Sequence, residues 1–378
     1  MASSKFTKIT CVSLVLLSIF SSFSLISAFS RQKSIVDFVN SCEDLEPSTY
    51  YGSPGEIDGT VVTLENTFQA LEILKLISDE VVAEGSVISY LSDLRKEPEG
   101  GFESYGGAED YSVSNIYIAA KIINDVDPSD DLSIHVTFIN NSYDNITTYG
   151  FGPNPDLKEE TNLISTYHAI KTLELTGNLS LVNLTRVHQF VNSCKLGNYM
   201  YASSPDSNTT SLVATAYALS LYDSVLAAFD QGIFDGPAPS AVLNYLNGIN
   251  DPEGGFFDDS INNEPTLFAS YFAVRINNLI ADTEIAGGKK NLEDWILSKQ
   301  NFDGGFVEGE SPPASSSISA TYYAIETLYL LDSSLNVLEQ QSPYYLEQIG
   351  GIIAAIIFIA IIVVVLIAAY YFKKKNQI

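Results

Sequence analysis

The chain has 378 residues, with 46 Asp and Glu against 19 Lys and Arg and a formal net charge of −27. That charge argues against nucleic acid or anionic lipid as a partner. Three cysteines exclude a disulfide scaffold, and a chain this long buries a sizeable core without one.

Lys5 and Lys8 precede an apolar run that reaches Ile26, and Ser27 and Ala28 follow as small residues. This order predicts a secretory signal over residues 1–28, with an uncleaved anchor as the alternative. Sequons at Asn140, Asn145, Asn178, Asn183 and Asn208 then fit a glycosylated surface outside the cytoplasm.

Between the ends, one phrase recurs: "EPEGGFESY" from Glu97, "DPEGGFFDD" from Asp251 and "NFDGGFVEG" from Asn301. Around it lies a longer repeat. "DFVNSC" from Asp37 returns as "QFVNSC" from Gln189, and "ISYLSDL", "LNYLNGI" and "EDWILSK" share one apolar spacing. Each such segment leads through a Gly/Pro/acid-rich loop to a second apolar segment. The second segments are "TFQALEIL", "IYIAAKII", "TYHAIKTL", "TAYALSLY", "SYFAVRIN" and "TYYAIETL", from Thr67, Ile116, Thr166, Thr215, Ser270 and Thr321. Their consensus is hydroxyl, aromatic, any residue, Ala, aliphatic. Ile116 departs from it at the first position and Ala216 at the second.

Both segments carry apolar residues at helical spacing, so each unit is predicted as helix–loop–helix. Six units fall near 35–80, 87–126, 135–177, 187–228, 242–282 and 292–332 within an ectodomain over 29–335. A helix pair cannot bury its apolar face alone, and no polar capping repeat follows the sixth. The sequence therefore predicts an all-α fold closed as a ring of six inner and six outer helices, with an open solenoid as the alternative. Gly-Gly gives a backbone reversal, Phe102, Phe256 and Phe306 fill seams between units, and the acids Glu99, Glu253 and Asp303 suit a turn. A calcium loop built from Asp251, Glu253, Asp258 and Asp259 is the rival reading, although its spacing matches no calcium template.

Residues 336–348 read as a linker. Ile349–Phe372 contains no charge and exceeds the ~20 residues that span a bilayer. Tyr370, Tyr371 and Lys373–Lys375 at its end place residues 373–378 in the cytoplasm. The expectation is a single-pass type I membrane protein with its ectodomain extracellular or lumenal.

"KQNFDGGFVEGESPPASSSISATYYAIETLYLL" from Lys299 resembles the repeat of protein prenyltransferase β subunits and squalene/terpenoid cyclases. The resemblance covers all six units and implies an α/α toroid (an α6/α6 barrel). It also implies where catalytic groups belong. Aligned on the repeat, the prenyltransferase zinc ligands fall on Thr266, Phe268 and Ser319, which are unsuited to zinc. The nearest string to the cyclase acid motif, "DVDPSDD" from Asp125, is broken by proline and reads as a loop. Lys75, Lys121, Lys171 and Arg275 read as ordinary helix-face residues. His135, His168 and His188 do not converge with Cys194, and His168 takes a pocket-wall position. No metal or other cofactor is expected.

The inner helices instead offer Phe68, Tyr117, Tyr167, His168, Tyr217, Tyr271, Phe272, Tyr322 and Tyr323 near their starts. These are either helix-packing residues or the wall of an apolar cavity for a lipid, isoprenoid or glycan. The expected protein is a membrane-anchored toroid without the family's catalytic groups, binding an apolar small molecule or a protein partner, and not nucleic acid. The alternatives are a terpenoid cyclase/prenyltransferase-type or carbohydrate-active enzyme, or a subunit like ribophorin II of oligosaccharyltransferase. For carboxylate chemistry, Glu65, Glu72, Glu174 and Glu326 do not read as matching cavity-facing positions. Cys42 and Cys194 hold equivalent places in opposite units of the ring, so both are expected as buried thiols with no bridge between them.

Overall fold

The computed structural model describes residues 30–42, 62–78, 84–96, 100–127, 132–197, 200–226, 238–258, 264–280, 285–308 and 316–340. The predicted signal, membrane span, cytoplasmic tail, Pro128–Asp131 of the acidic string and Asp259 lie outside them. Among the described residues no helix is long and apolar enough to cross a membrane.

Among the described residues twelve α-helices follow one another: α1 (Arg31–Ser41), α2 (Leu64–Ile77), α3 (Glu84–Leu94), α4 (Val113–Val126), α5 (Ser133–Asn141), α6 (Leu163–Leu175), α7 (Leu184–Ser193), α8 (Leu212–Asp223), α9 (Ala238–Gly248), α10 (Leu267–Ile280), α11 (Lys289–Ser298) and α12 (Ile318–Leu331). In chain order they fall one on each apolar segment of the repeat. The described residues group into two compact units, one of residues 38–301 and 305–335, the other of the remainder. In the smaller unit the Arg31 amide donates to the Gln340 carbonyl at 3.1 Å.

All six even-numbered helices belong to the larger unit, and each packs on the next until α12 returns to α2. The ring is closed. Their starts share one construction. Thr63, Ser112, Asn162, Ser211, Thr266 and Ser317 each accept the backbone amide three residues on, which caps the helix. Four residues after the cap comes the consensus hydroxyl. Thr166, Thr215, Ser270 and Thr321 each accept a loop amide, from Phe151, Tyr201, Phe256 and Phe306 respectively, at 3.0 Å. These aromatic side chains are all 0–1 % exposed, as is Phe102. In the second repeat, where Ile116 lacks the hydroxyl, the Asn115 side chain donates from Nδ2 to the Phe102 carbonyl instead, at 3.0 Å. Three residues past the hydroxyl, Ala70, Ala119, Ala169, Ala218, Ala273 and Ala324 are 0 % exposed, so no larger side chain fits there.

Both glycines of the pair are needed, and at Gly254 and Gly255 each combines a positive φ, 115° and 87°, with close approach to Trp295. The first glycine takes a left-handed backbone, with φ of 82° at Gly100, 115° at Gly254 and 98° at Gly304. The second permits close approach: a Cβ on Gly101 would stand 2.9 Å from Tyr111 Cβ, and one on Gly255 would stand 2.7 Å from the Trp295 ring. The third repeat keeps this turn without the phrase, because Tyr149 takes φ 62° and a Cβ on Gly150 would meet the Phe190 ring at 2.8 Å. Asp251 Oδ1 accepts the Glu253 amide at 2.7 Å, a turn contact. Cys42 and Cys194 are buried and form no disulfide with each other, and burial pushes the Cys194 thiol up to about 12.

The hydroxyl contact generates a prediction. Thr321→Val keeps side-chain volume but leaves the Phe306 amide buried without its acceptor, at a cost of about 1–3 kcal/mol. Urea unfolding measures this, and an unchanged midpoint would remove the contact from the account of the fold.

Candidate functional site

Because caps and hydroxyls hold the inner helices in equivalent registers, equivalent positions form levels along the ring axis. Two residues before the hydroxyl lie Glu65, Ser114, Phe268 and Ser319; one and two residues after it lie the aromatics; five after it lie Glu72, Lys121, Lys171, Ser220, Arg275 and Glu326. Seven residues of helix separate the first level from the last, roughly 10 Å.

One cavity of about 290 Å³ occupies this space. All nine side chains named from the sequence line it: Phe68, Tyr117, Tyr167, His168, Tyr217, Tyr271, Phe272, Tyr322 and Tyr323. Glu65, Gln69, Ser114, Ile118 and Arg275 complete the wall. The rings form a connected belt. Tyr167 and Tyr217 stack with centroids 4.2 Å apart, Tyr117 stacks on His168 at 4.8 Å, and Tyr271 meets Tyr323 at 5.5 Å.

Two sequence readings are corrected here. Arg275 is not an ordinary helix-face residue. It reaches from α10 to α6 and α8, donating to Tyr271 Oη at 3.2 Å, Tyr167 Oη at 3.0 Å and Ser220 Oγ at 3.1 Å. Its guanidinium also lies 5.7 Å from the Tyr167 ring centre and 5.5 Å from that of Tyr217. Burial opposes its charge, but the three phenols outweigh burial and hold its pKa above the ordinary value. Glu65 is the second correction. It stands at the exposed rim of the cavity, accepting from Gln69 Nε2 at 3.2 Å, while the protein crowding its carboxyl raises its pKa. Gln69 in turn accepts from Ser319 Oγ at 2.7 Å.

His168 is buried, its Nδ1 2.8 Å from Ser114 Oγ. Burial, reinforced by the Arg275 charge, lowers its pKa to about 3, so the imidazole is neutral at physiological pH. On the Arg275 level, burial and then the Glu72 carboxylate raise Glu326 to about 7, against the opposing pull of Arg275, Lys121 and Lys75. Burial raises the pKa of Tyr117, Tyr217, Tyr271, Tyr322 and Tyr323. These phenols are hydrogen-bonding groups and not anions.

The residues at the family's zinc positions do not fit that metal. Thr266 Oγ1 caps α10 at the Ala269 amide, Ser319 Oγ donates to Gln69, and Phe268 offers a ring beside Phe272 and Tyr323. Glu308 accepts the Phe268 amide at 3.0 Å and so closes the start of α10. His135, His188 and Cys194 do not line the cavity. Of the sequons, Asn140, Asn145, Asn183 and Asn208 are exposed and Asn178 is half-buried.

The sequence matches the Prenyltransferase alpha-alpha toroid domain over residues 7–192, 122–223 and 157–348. The chain belongs to the prenyltransferase α/α toroid family. Among solved structures it resembles Candida albicans protein geranylgeranyltransferase-I complexed with GGPP, at 16 % identity and TM-score 0.60, covering 83 % of this chain and 96 % of that one. It also resembles the type II terpene cyclase MstE from Scytonema, in a variant complexed with geranylgeranyl dihydroxybenzoate, at 12 % identity and TM-score 0.55, covering 81 % and 97 %. A glycosidase variant matches at 10 % identity and TM-score 0.51, covering 81 % and 96 %. At these identities the likenesses establish the fold. No curated protein matches the sequence.

The titrating groups oppose each other. Glu326 binds protons more tightly folded than unfolded, so its stabilisation is present below about pH 4.5 and is lost as pH rises through about 7. His168 does the reverse: its contribution is present above about 6.5 and is lost as pH falls towards 3. Glu326→Gln should therefore gain about 1–2 kcal/mol over the parent on passing from pH 5 to pH 8, allowing for its partial exposure. Denaturant unfolding at the two pH values tests this. An equal difference at both would mean that Glu326 titrates normally.

Proposed function

We propose that this protein is an isoprenoid-site toroid of the terpenoid cyclase/prenyltransferase type, whose cavity takes a compact apolar ligand with a polar end. The convergence of eight Phe and Tyr side chains and Ile118 on one cavity, with Arg275 at one end and Glu65 at the other, carries this reading. A volume near 290 Å³ stands at the lower limit of small-molecule sites, ~300–1,000 Å³. It suits a ligand of two or three isoprene units better than an extended chain of four. The two solved relatives were complexed with GGPP and with geranylgeranyl dihydroxybenzoate, and these isoprenoid ligands support the same class for this cavity. The predicted signal and span add that the ligand is met outside the cytoplasm, beside a membrane.

A carbohydrate-active reading has less support. Glycoside hydrolysis uses two carboxyl groups ~5–10 Å apart, and among the described residues Glu65 is the sole carboxyl lining the cavity. A scaffold role leaves the half-buried guanidinium and its phenol partners without a purpose.

Geraniol and farnesol, titrated into the full-length protein in detergent, should raise its melting temperature by several degrees at saturation. Ile118→Trp, which fills the cavity, should abolish the rise. An equal response in both proteins, or none in the parent, would discard the cavity as a ligand site.

A further inference from the structure

The charge on the cavity wall says more about the ligand than its apolarity does. Arg275 is the one guanidinium or ammonium among the lining groups. It has no carboxylate within ion-pairing distance among the described residues, and its hydrogen-bond partners are three neutral hydroxyls. Glu326 on the adjacent helix also interacts with Arg275, and burial and then Glu72 raise its pKa to about 7, which weakens its negative field near neutrality. Neutral His168 leaves Arg275 as the one cation on the wall, and Glu65, whose pKa is raised by the protein around its carboxyl, stands at the opposite end of the cavity. A cation beside an enclosed space, in a chain of net charge −27, marks the place where a ligand's negative charge is welcome.

The number of charges is also set. Other cations of the ring are engaged elsewhere: Lys171 pairs with Glu174, and Lys75 pairs with Glu72 and Asp125. Lys121 occupies the Arg275 level on α4, where it acts on Glu326, and it does not line the cavity. One guanidinium neutralises one negative charge. A diphosphate would bring two or three, and at ~5 Å each uncompensated charge is expensive in a part-buried site. Three of the five guanidinium N–H groups are engaged with hydroxyls, and Tyr271 accepts from Arg275 while retaining its own O–H to donate. N–H and O–H donors converging from one side match a planar carboxylate.

We propose that the ligand is an amphipathic monocarboxylic acid, its apolar body in the aromatic belt and its carboxylate at Arg275 with Tyr167, Tyr271 and Ser220. This rests on the reading of the cavity as a ligand site, and the experiment separates the two. Full-length protein in detergent is titrated calorimetrically at pH 7.5 with geranic acid, geraniol and geranyl diphosphate, which share one C10 body. Geranic acid should bind at least tenfold more tightly than geraniol. Arg275→Met should remove that preference while retaining geraniol binding, and Tyr271→Phe should reduce it severalfold. Tyr271→Phe also serves if Arg275→Met does not fold. Geraniol binding with no preference for the acid overturns the carboxylate assignment and leaves the cavity reading standing. Failure of all three compounds overturns both. Geranyl diphosphate binding more tightly than geranic acid overturns the single-charge argument.

Discussion

The ring rests on a hydrogen bond between a loop amide and a hydroxyl one turn inside the next helix. Four of the six inner helices use it identically, from Phe151 to Thr166, Tyr201 to Thr215, Phe256 to Ser270 and Phe306 to Thr321. In the last two the same hydroxyl donates to its own cap carbonyl at 2.7 Å, so one oxygen ties loop, cap and helix together. Rotation about the helix axis and translation along it are both fixed. A helix so held presents its next two residues to the ring axis, whatever those residues are. An unsatisfied buried amide costs about 1–3 kcal/mol. Slippage by one residue would lose that contact and turn the aromatic pair away from the axis.

The clamp explains why so much of the fold was legible. Alanine recurs in all six units and hydroxyl and aromatic in five each, so the helices and a closed ring could be read from spacing, while the resemblance to the toroid family put the nine residues at a cavity. What hid the third and fourth turns was chemistry that preserves the backbone while changing its letters. Tyr149 occupies the left-handed position that glycine holds elsewhere, and Met200 stands where the second glycine would. Arg275 was hidden for another reason. Five residues beyond the hydroxyl, the six helices carry Glu, Lys, Lys, Ser, Arg and Glu, a register visible only when the repeats are stacked and not when each helix is judged alone. Glu65 was missed because it precedes the aromatic consensus and sits at the rim.

Electrostatics within the ring run against the rest of the molecule. The chain carries −27, yet its cavity wall holds neutral imidazole, un-ionised phenols, one guanidinium and, at the rim, the single carboxyl of Glu65. Phenol hydroxyls and ring faces stabilise Arg275 where a carboxylate would have cancelled it. A carboxylate partner would make a tighter internal pair but leave nothing for a ligand. The same positive site bears on family chemistry. A carbocation ~5 Å from Arg275 would be repelled by about 3 kcal/mol at an effective dielectric near 20, comparable to what several ring faces return. Negative charge gains from the same geometry.

Fold and function are therefore written at different positions of one repeat. Cap, hydroxyl and alanine make the toroid, and they are spent on doing so; the residues two before, one and two after, and five after the hydroxyl are free to differ among helices without disturbing the ring. Relatives at 10–16 % identity can share the first set and diverge in the second, which is why structural likeness extends here to a geranylgeranyltransferase, a terpene cyclase and a glycosidase at once. What distinguishes the site of this chain lies in the second set. Threonine and phenylalanine at the zinc positions leave an oxygen cap and a ring in place of ligands, and five residues past the hydroxyl Arg275 sets one guanidinium among phenols on an otherwise largely apolar wall.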